Sequence, residues 1–265
     1  MVKKLFKHEY FALWRLMIPI WCVLFGVSVF GRLIQLFEQD NVAYNIINGS
    51  SIVFYCVVVL AVLACPVVLA VIRFYRNLFT GEGYLMFTLP VTPAQHIWVK
   101  LIVAVTTQIV NIFALIVSVA VLTFGDVAVE IGKAAWYLLK MLADACDGQL
   151  PILTVEAIVA LVLLLASNLL LYYACICIGQ MAHKARILAA VGAYFGFYVI
   201  AQAFETLLLI VFAFIDMDKV SLWMLEHMTA TAHIGLCYYT LQSLVLSGIF
   251  FFICHYLMKR RLNLE

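Results

Sequence analysis

Fourteen carboxylates, six histidines and eight cysteines are available for chemistry in this chain of 265 residues. Their spacing argues against bond-making. His8, His96, His183, His227, His233 and His255 fall at no metal-ligand spacing, and neither H-E-x-x-H nor G-x-S-x-G occurs. Cys175 and Cys177 lie two residues apart, which on a helix turns them about 200° away from each other and makes a poor metal pair. The remaining cysteines fall mostly within apolar runs and read as small packing residues; Cys146 reads as an external thiol, and a disulfide from it to Cys237 is not favoured. A G-x-x-x-x-G-K-[ST] phosphate loop is absent as well. The expectation is a chain with no catalytic residues, no metal ligands and no cofactor bound directly.

Two charges stand inside apolar runs, Arg32 and Glu205. A lone charge at the centre of a bilayer costs about 3 kcal/mol on insertion scales. Counted along their helices at 1.5 Å per residue, both fall at a depth of about 24 to 27 Å. Matched depth permits an ion pair between them, a polar wall along a substrate route, or separate snorkelling to the outer interface. Gln108, Asn111, Asn168, Gln202 and Gln242 add neutral polar groups, for which interhelical hydrogen bonds of about 1 kcal/mol each are sufficient reason.

The elements that position these groups follow from composition. The chain is 67% hydrophobic and 11% charged, with mean hydropathy +1.11, well outside the range of soluble domains. Apolar runs place spans near 15–36, 51–73, 97–124, 154–178, 187–215 and 236–258. Stretches such as VVVLAVLACPVVLAVI are apolar on every face, unlike the alternating strands of a barrel. The predicted fold is an all-α integral membrane protein with six transmembrane helices in a single domain, 1–265. Ahead of span 1, Leu5, Phe6, Tyr10, Leu13 and Trp14 share one helical face, with Lys3, Lys4, Lys7 and Arg15 beside it. Residues 1–14 therefore read as an amphipathic interfacial helix, and the run that follows as a retained span rather than a cleaved signal. Asn48-Gly49-Ser50 matches a glycosylation acceptor but reads better as a turn with a capping serine before span 2.

Basic residues set the orientation. Six spans with the amino terminus inside put twelve of the sixteen Lys and Arg on the cytoplasmic side, leaving Lys133, Lys140 and Lys219 outside and Arg32 within span 1. Both termini are then cytoplasmic. So is the segment RFYRNLFTGEGYLMFTLPVTPAQHIWVK, residues 73–100, in which Gly81 and Gly83 interrupt the helix leaving span 2 and Thr92-Pro93-Ala94-Gln95 forms a capping box with proline at N1. The outer loops, 125–153 and 216–235, are expected to hold short surface helices, one around KAAWYLLKML.

The order of these parts resembles that of type-2 ABC exporter permeases, and EGYLMFTLPVTPAQHIWVKL resembles the first cytoplasmic loop of small bacterial members of that family. The resemblance implies that the loop holds a short coupling helix, with Glu82, Tyr84, Leu85, Met86, Phe87 and Thr92 contacting an ATPase. It implies separate cytoplasmic ABC ATPase subunits that bind ATP-Mg, a second permease chain, identical or sister, and residence in a bacterial cytoplasmic membrane. The lipid bilayer is the remaining partner, and nucleic acid is not one. The sparsely polar spans suit a hydrophobic or amphipathic cargo. A non-transporting membrane scaffold and an ATP-independent secondary transporter are the alternatives, the latter disfavoured by the want of an inverted repeat.

Overall fold

Uninterrupted hydrogen bonding is the only way a single segment can cross hydrocarbon with its backbone satisfied, and the structure follows that rule. It is a computed structural model that describes residues 2–37, 41–79, 91–146, 148–182, 185–213 and 217–260. Among these residues there is no strand, and the helices are α1 (Val2–Leu36), α2 (Val42–Phe79), α3 (Pro93–Leu122), α4 (Asp126–Ala145), α5 (Leu150–Gly179), α6 (Arg186–Ala213), α7 (Met217–Glu226) and α8 (Met228–Arg260). Six of them, α1, α2, α3, α5, α6 and α8, are long and apolar enough to cross a membrane. The chain is a multi-pass membrane protein, and each span expected from the apolar runs falls mainly on one of these six, with 97–124 running two residues past the end of α3 and 214–215 outside the described residues.

The helices extend beyond the apolar runs, and this changes one reading, the turn before span 2. Residues 2–14 and span 1 form one unbroken helix that continues through Pro19. Asn48-Gly49-Ser50 is not a turn: it lies within α2, and the Ser50 hydroxyl donates to the Ile47 carbonyl at 2.9 Å instead of accepting a capping N–H. The α2 helix begins where the Asn45 N–H meets the Asn41 carbonyl at 3.1 Å. The capping box at the start of α3 is present in both directions. The Thr92 N–H donates to Gln95 Oε1 at 3.1 Å, and the Gln95 N–H to Thr92 Oγ1 at 3.4 Å. Gly81, Gly83 and the coupling residues Glu82, Tyr84, Leu85, Met86 and Phe87 lie outside the described residues.

Two units divide the chain, one comprising Met1–Phe74 and Trp98–Leu138, the other Tyr75–Ile97 and Leu139–Glu265. In the first, α1, α2 and α3 pack around Leu24, Tyr55, Val62, Leu115 and Leu122. A second cluster, Leu13 with Val99 and Val103, gathers Leu5, Phe6, Tyr10 and Leu69. The apolar face read on residues 5–14 thus packs against α2 and α3. Gly31 makes the close approach possible, since a methyl there would stand 2.8 Å from Leu122 Cδ1.

In the second unit α5 is the packing centre, with a continuous buried stretch from Tyr173 to Cys177. Tyr172 stacks on Tyr194 of α6, and Phe197 of α6 meets Phe250 of α8 edge-on. Gly179 at the end of α5 permits the close approach of α6, since a methyl there would fall 2.7 Å from the Arg186 carbonyl oxygen. The α6 helix buries none of its most apolar stretch. All eight cysteines are free thiols. Cys175 and Cys177 are both buried, as is Cys254, in keeping with packing roles. Cys146, in the link after α4, is a free thiol and only 6% exposed.

Candidate functional site

The first unit carries a polar seam along its interior, and it begins with a residue passed over in the sequence. Glu9 lies four residues from Leu5 and from Leu13, on the apolar stripe of α1, and is 3% exposed. Its carboxylate accepts from Lys100 Nζ of α3 at 2.6 Å through Oε1 and from Arg73 Nη2 of α2 at 2.9 Å through Oε2. One anion therefore holds two cations, and one carboxylate fastens three helices. The desolvation cost of burying three charges is several kcal/mol per ion. A carboxylate with a cation on each oxygen is the arrangement that can offset it.

The next rung is neutral. The indole N–H of Trp21 donates to Asn111 Oδ1 at 2.9 Å, and Asn111 Nδ2 donates to the Val62 carbonyl at 3.0 Å. Asn111 thereby joins all three helices by interhelical hydrogen bonds, as its type and position suggest. Above it, the hydroxyls of Ser28 and Ser118 are 2.7 Å apart, and the Tyr55 hydroxyl reaches Ser118 at 2.8 Å. At the far end the Arg32 guanidinium donates to Gln35 Oε1 at 3.2 Å. It also abuts Gly125, whose φ of +122° favours glycine.

The register is regular. Trp21 and Ser28 of α1 stand seven residues apart, as do Asn111 and Ser118 of α3 and, in reverse, Val62 and Tyr55 of α2. Seven residues make about two turns, or about 10.5 Å. The pairings require α1 and α3 to run parallel with α2 antiparallel between them, as three consecutive spans must. From Glu9 to Arg32 the seam covers about 34 Å, slightly more than the hydrocarbon thickness. Charged groups therefore occur at its two ends and neutral hydrogen bonds between.

Of the residues singled out in the sequence, Arg32 falls at the seam's far end, level with the link from α3 to α4. Glu205 is exposed on α6, which belongs to the other unit. The remaining amides differ from Asn111: Asn168 donates to Leu164 within its own helix at 3.0 Å, Gln202 is exposed, and Gln108 is buried on α3 with Oε1 unpartnered. A second polar junction ties the second unit. His233 of α8 lies 2.7 Å from Glu156 Oε2 through Nδ1 and 3.0 Å from Gln149 Oε1 through Nε2. Among the described residues no three His, Cys, Asp or Glu side chains gather as metal ligands.

Comparison of the chain with protein-family models, with curated proteins and with solved structures finds no match.

Proposed function

We propose that the chain is the membrane-spanning permease subunit of an ATP-driven exporter of the type-2 ABC kind. It pairs with a second permease chain, and ATP-Mg is hydrolysed on separate cytoplasmic ATPase subunits. The chain makes no bonds itself; it exposes a path for a hydrophobic or amphipathic cargo, peptide or lipid-like, alternately to the two sides of a bacterial cytoplasmic membrane.

The observation that carries this reading is the Glu9 clamp. Arg73 lies six residues before the end of α2 at Phe79, and Lys100 seven residues after the start of α3 at Pro93. The two helices that flank the proposed coupling segment, residues 78–92, are thus fastened to α1 close to that segment. The capping box at Thr92 gives α3 a defined start, so displacement of the segment has a stiff element to act on. The seam supports the cargo class: most of its donors and acceptors satisfy one another, which leaves few fixed groups for a sugar or an ion.

The test of the assignment is a purification and a rate. Tagged full-length chain, extracted from its native membrane, is expected to bring with it an ATPase carrying a phosphate loop, and the reconstituted complex to hydrolyse ATP. Recovery of the chain without any such ATPase, in an extract where other ABC complexes survive, would sink the exporter reading.

Orientation has its own test, motivated by the bias of twelve basic residues to three. Cysteines placed at Ser50 or Ser221 in a cysteine-free background are expected to react with an impermeant external thiol reagent in sealed cells, and those at Thr80 or Lys184 to stay protected. External labelling at Thr80 would overturn the amino-terminus-inside arrangement and the coupling role with it.

A further inference from the structure

The α4 helix lies between two membrane-crossing helices and leaves its apolar side uncovered. Glu130, Lys133, Tyr137, Lys140 and Asp144 follow one another at steps of three and four and form a single polar stripe. Ile131, Ala135, Leu138 and Leu142 form the opposite stripe at the same steps. That apolar stripe is not packed into the protein: Ile131 is 51%, Leu138 57% and Leu142 46% exposed. Trp136 sits at the boundary between the stripes, beside Lys133 and Lys140, and is 71% exposed.

The chain's connections say what covers this face. The α3 helix ends at Leu122 and α4 begins at Asp126; α4 ends at Ala145 and α5 begins at Leu150. These links of three and four residues bridge at most about 14 and 18 Å between the helix ends. A twenty-residue helix is about 30 Å long. The links join α4 to α3 and to α5, both long and apolar enough to cross a membrane; as consecutive spans, these have the end of α3 and the start of α5 at the same membrane surface. A helix standing upright would carry its far end beyond the reach of the second link. The helix is therefore held at a low angle to the membrane plane, where its uncovered apolar stripe meets the boundary between headgroups and acyl chains. Lys133 and Lys140 then stand at phosphate level and Trp136 at the interface, the position that suits an amphipathic ring.

We infer that α4 is a lipid-binding helix that lies in one leaflet of the bilayer, its apolar stripe in the acyl region and its two lysines on phospholipid phosphates. The inference rests on the membrane-spanning fold and is independent of the exporter assignment.

The test uses the full chain in phospholipid nanodiscs and compares wild type with Trp136→Phe, so that the difference isolates Trp136 from the other tryptophans. Lipids brominated near the carbonyl end of the acyl chains are expected to quench the Trp136 share of the emission by about half or more, in the range of an interfacial indole. Lipids brominated near the terminal methyl should quench it less, and aqueous iodide little. Full access to iodide, or no quenching by brominated lipid at either depth as when a second protein chain covers the helix, would overturn the inference. A second variant, Leu138→Asp with Leu142→Asp, alters side chains that are largely exposed and is expected to leave the chain folded while the lipid quenching is lost. Unchanged quenching in that folded variant would equally overturn it.

Discussion

Glu9→Gln is expected to be among the most damaging isosteric substitutions in the chain, destabilising the three-helix unit by about 3 kcal/mol, in the range seen when one partner of a buried pair is removed. The reason is charge balance. With Glu9 neutral, the Lys100 side chain, 5% exposed, and the Arg73 side chain, 20% exposed, lose the carboxylate they share. Lys100→Met leaves Glu9 paired with Arg73, a neutral couple, and is expected to cost only about 1.5 kcal/mol, one charge-assisted hydrogen bond. The double variant Glu9→Gln with Lys100→Met leaves a single, partly hydrated cation and should be milder than Glu9→Gln alone. Heating detergent-solubilised protein and following the monodisperse fraction by size exclusion reads the order of the three. A double variant as unstable as the sum of the singles would refute the charge-balance account.

Leu85→Asp combined with Phe87→Asp is expected to abolish ATPase co-purification and to lower transport-linked ATP hydrolysis at least tenfold. The argument comes from residue type and position. Tyr84, Leu85, Met86 and Phe87 follow one another in the connection proposed to contact the ATPase, and apolar anchors at the centre of an interface commonly contribute about 2 kcal/mol or more each. Glu82→Lys, a reversal at the edge of the same group, should weaken association without abolishing it. Insertion and thermal stability should be nearly unchanged, because the clamp at Glu9 and the capping box at Thr92 lie outside the substituted positions. Normal ATPase binding and export by the double variant would return residues 78–92 to a plain connector.

The spans were legible because a run of about 20 apolar residues has few other soluble or structural uses, and the start of α3 was legible because a capping box is a local arrangement of four residues. The start of α2 was not. Hydropathy locates the part of a helix that sits in hydrocarbon, whereas α2 begins at Val42, well before its apolar run. Glu9 was hidden for a different reason. Orientation is read from basic residues alone, yet the spacing of Leu5, Glu9 and Leu13 places one carboxylate on the apolar stripe. Its partners, Arg73 and Lys100, are 64 and 91 residues away, and no pattern in a single sequence joins them. The burial of Cys146 was not legible because it depends on tertiary packing rather than on local polarity.

The rungs of the first unit are chemically unlike: an ion triad, an indole and amide on a carbonyl, a chain of hydroxyls, and a guanidinium against a glycine. The seven-residue spacing of the two neutral rungs would let α3 slide by one step into a geometrically similar seat there, but the groups then opposed would not match. Displaced in that direction, Asn111 would face Ser28 while Trp21 met Ala104, and the Glu9 carboxylate would lose Lys100. The seam works as a keyed lock, admitting one alignment among several that are sterically alike. The three helices are consequently expected to turn and tilt as one stiff lever, so that a push delivered beside Arg73 and Lys100 would be felt, undiminished by internal slippage, at Arg32.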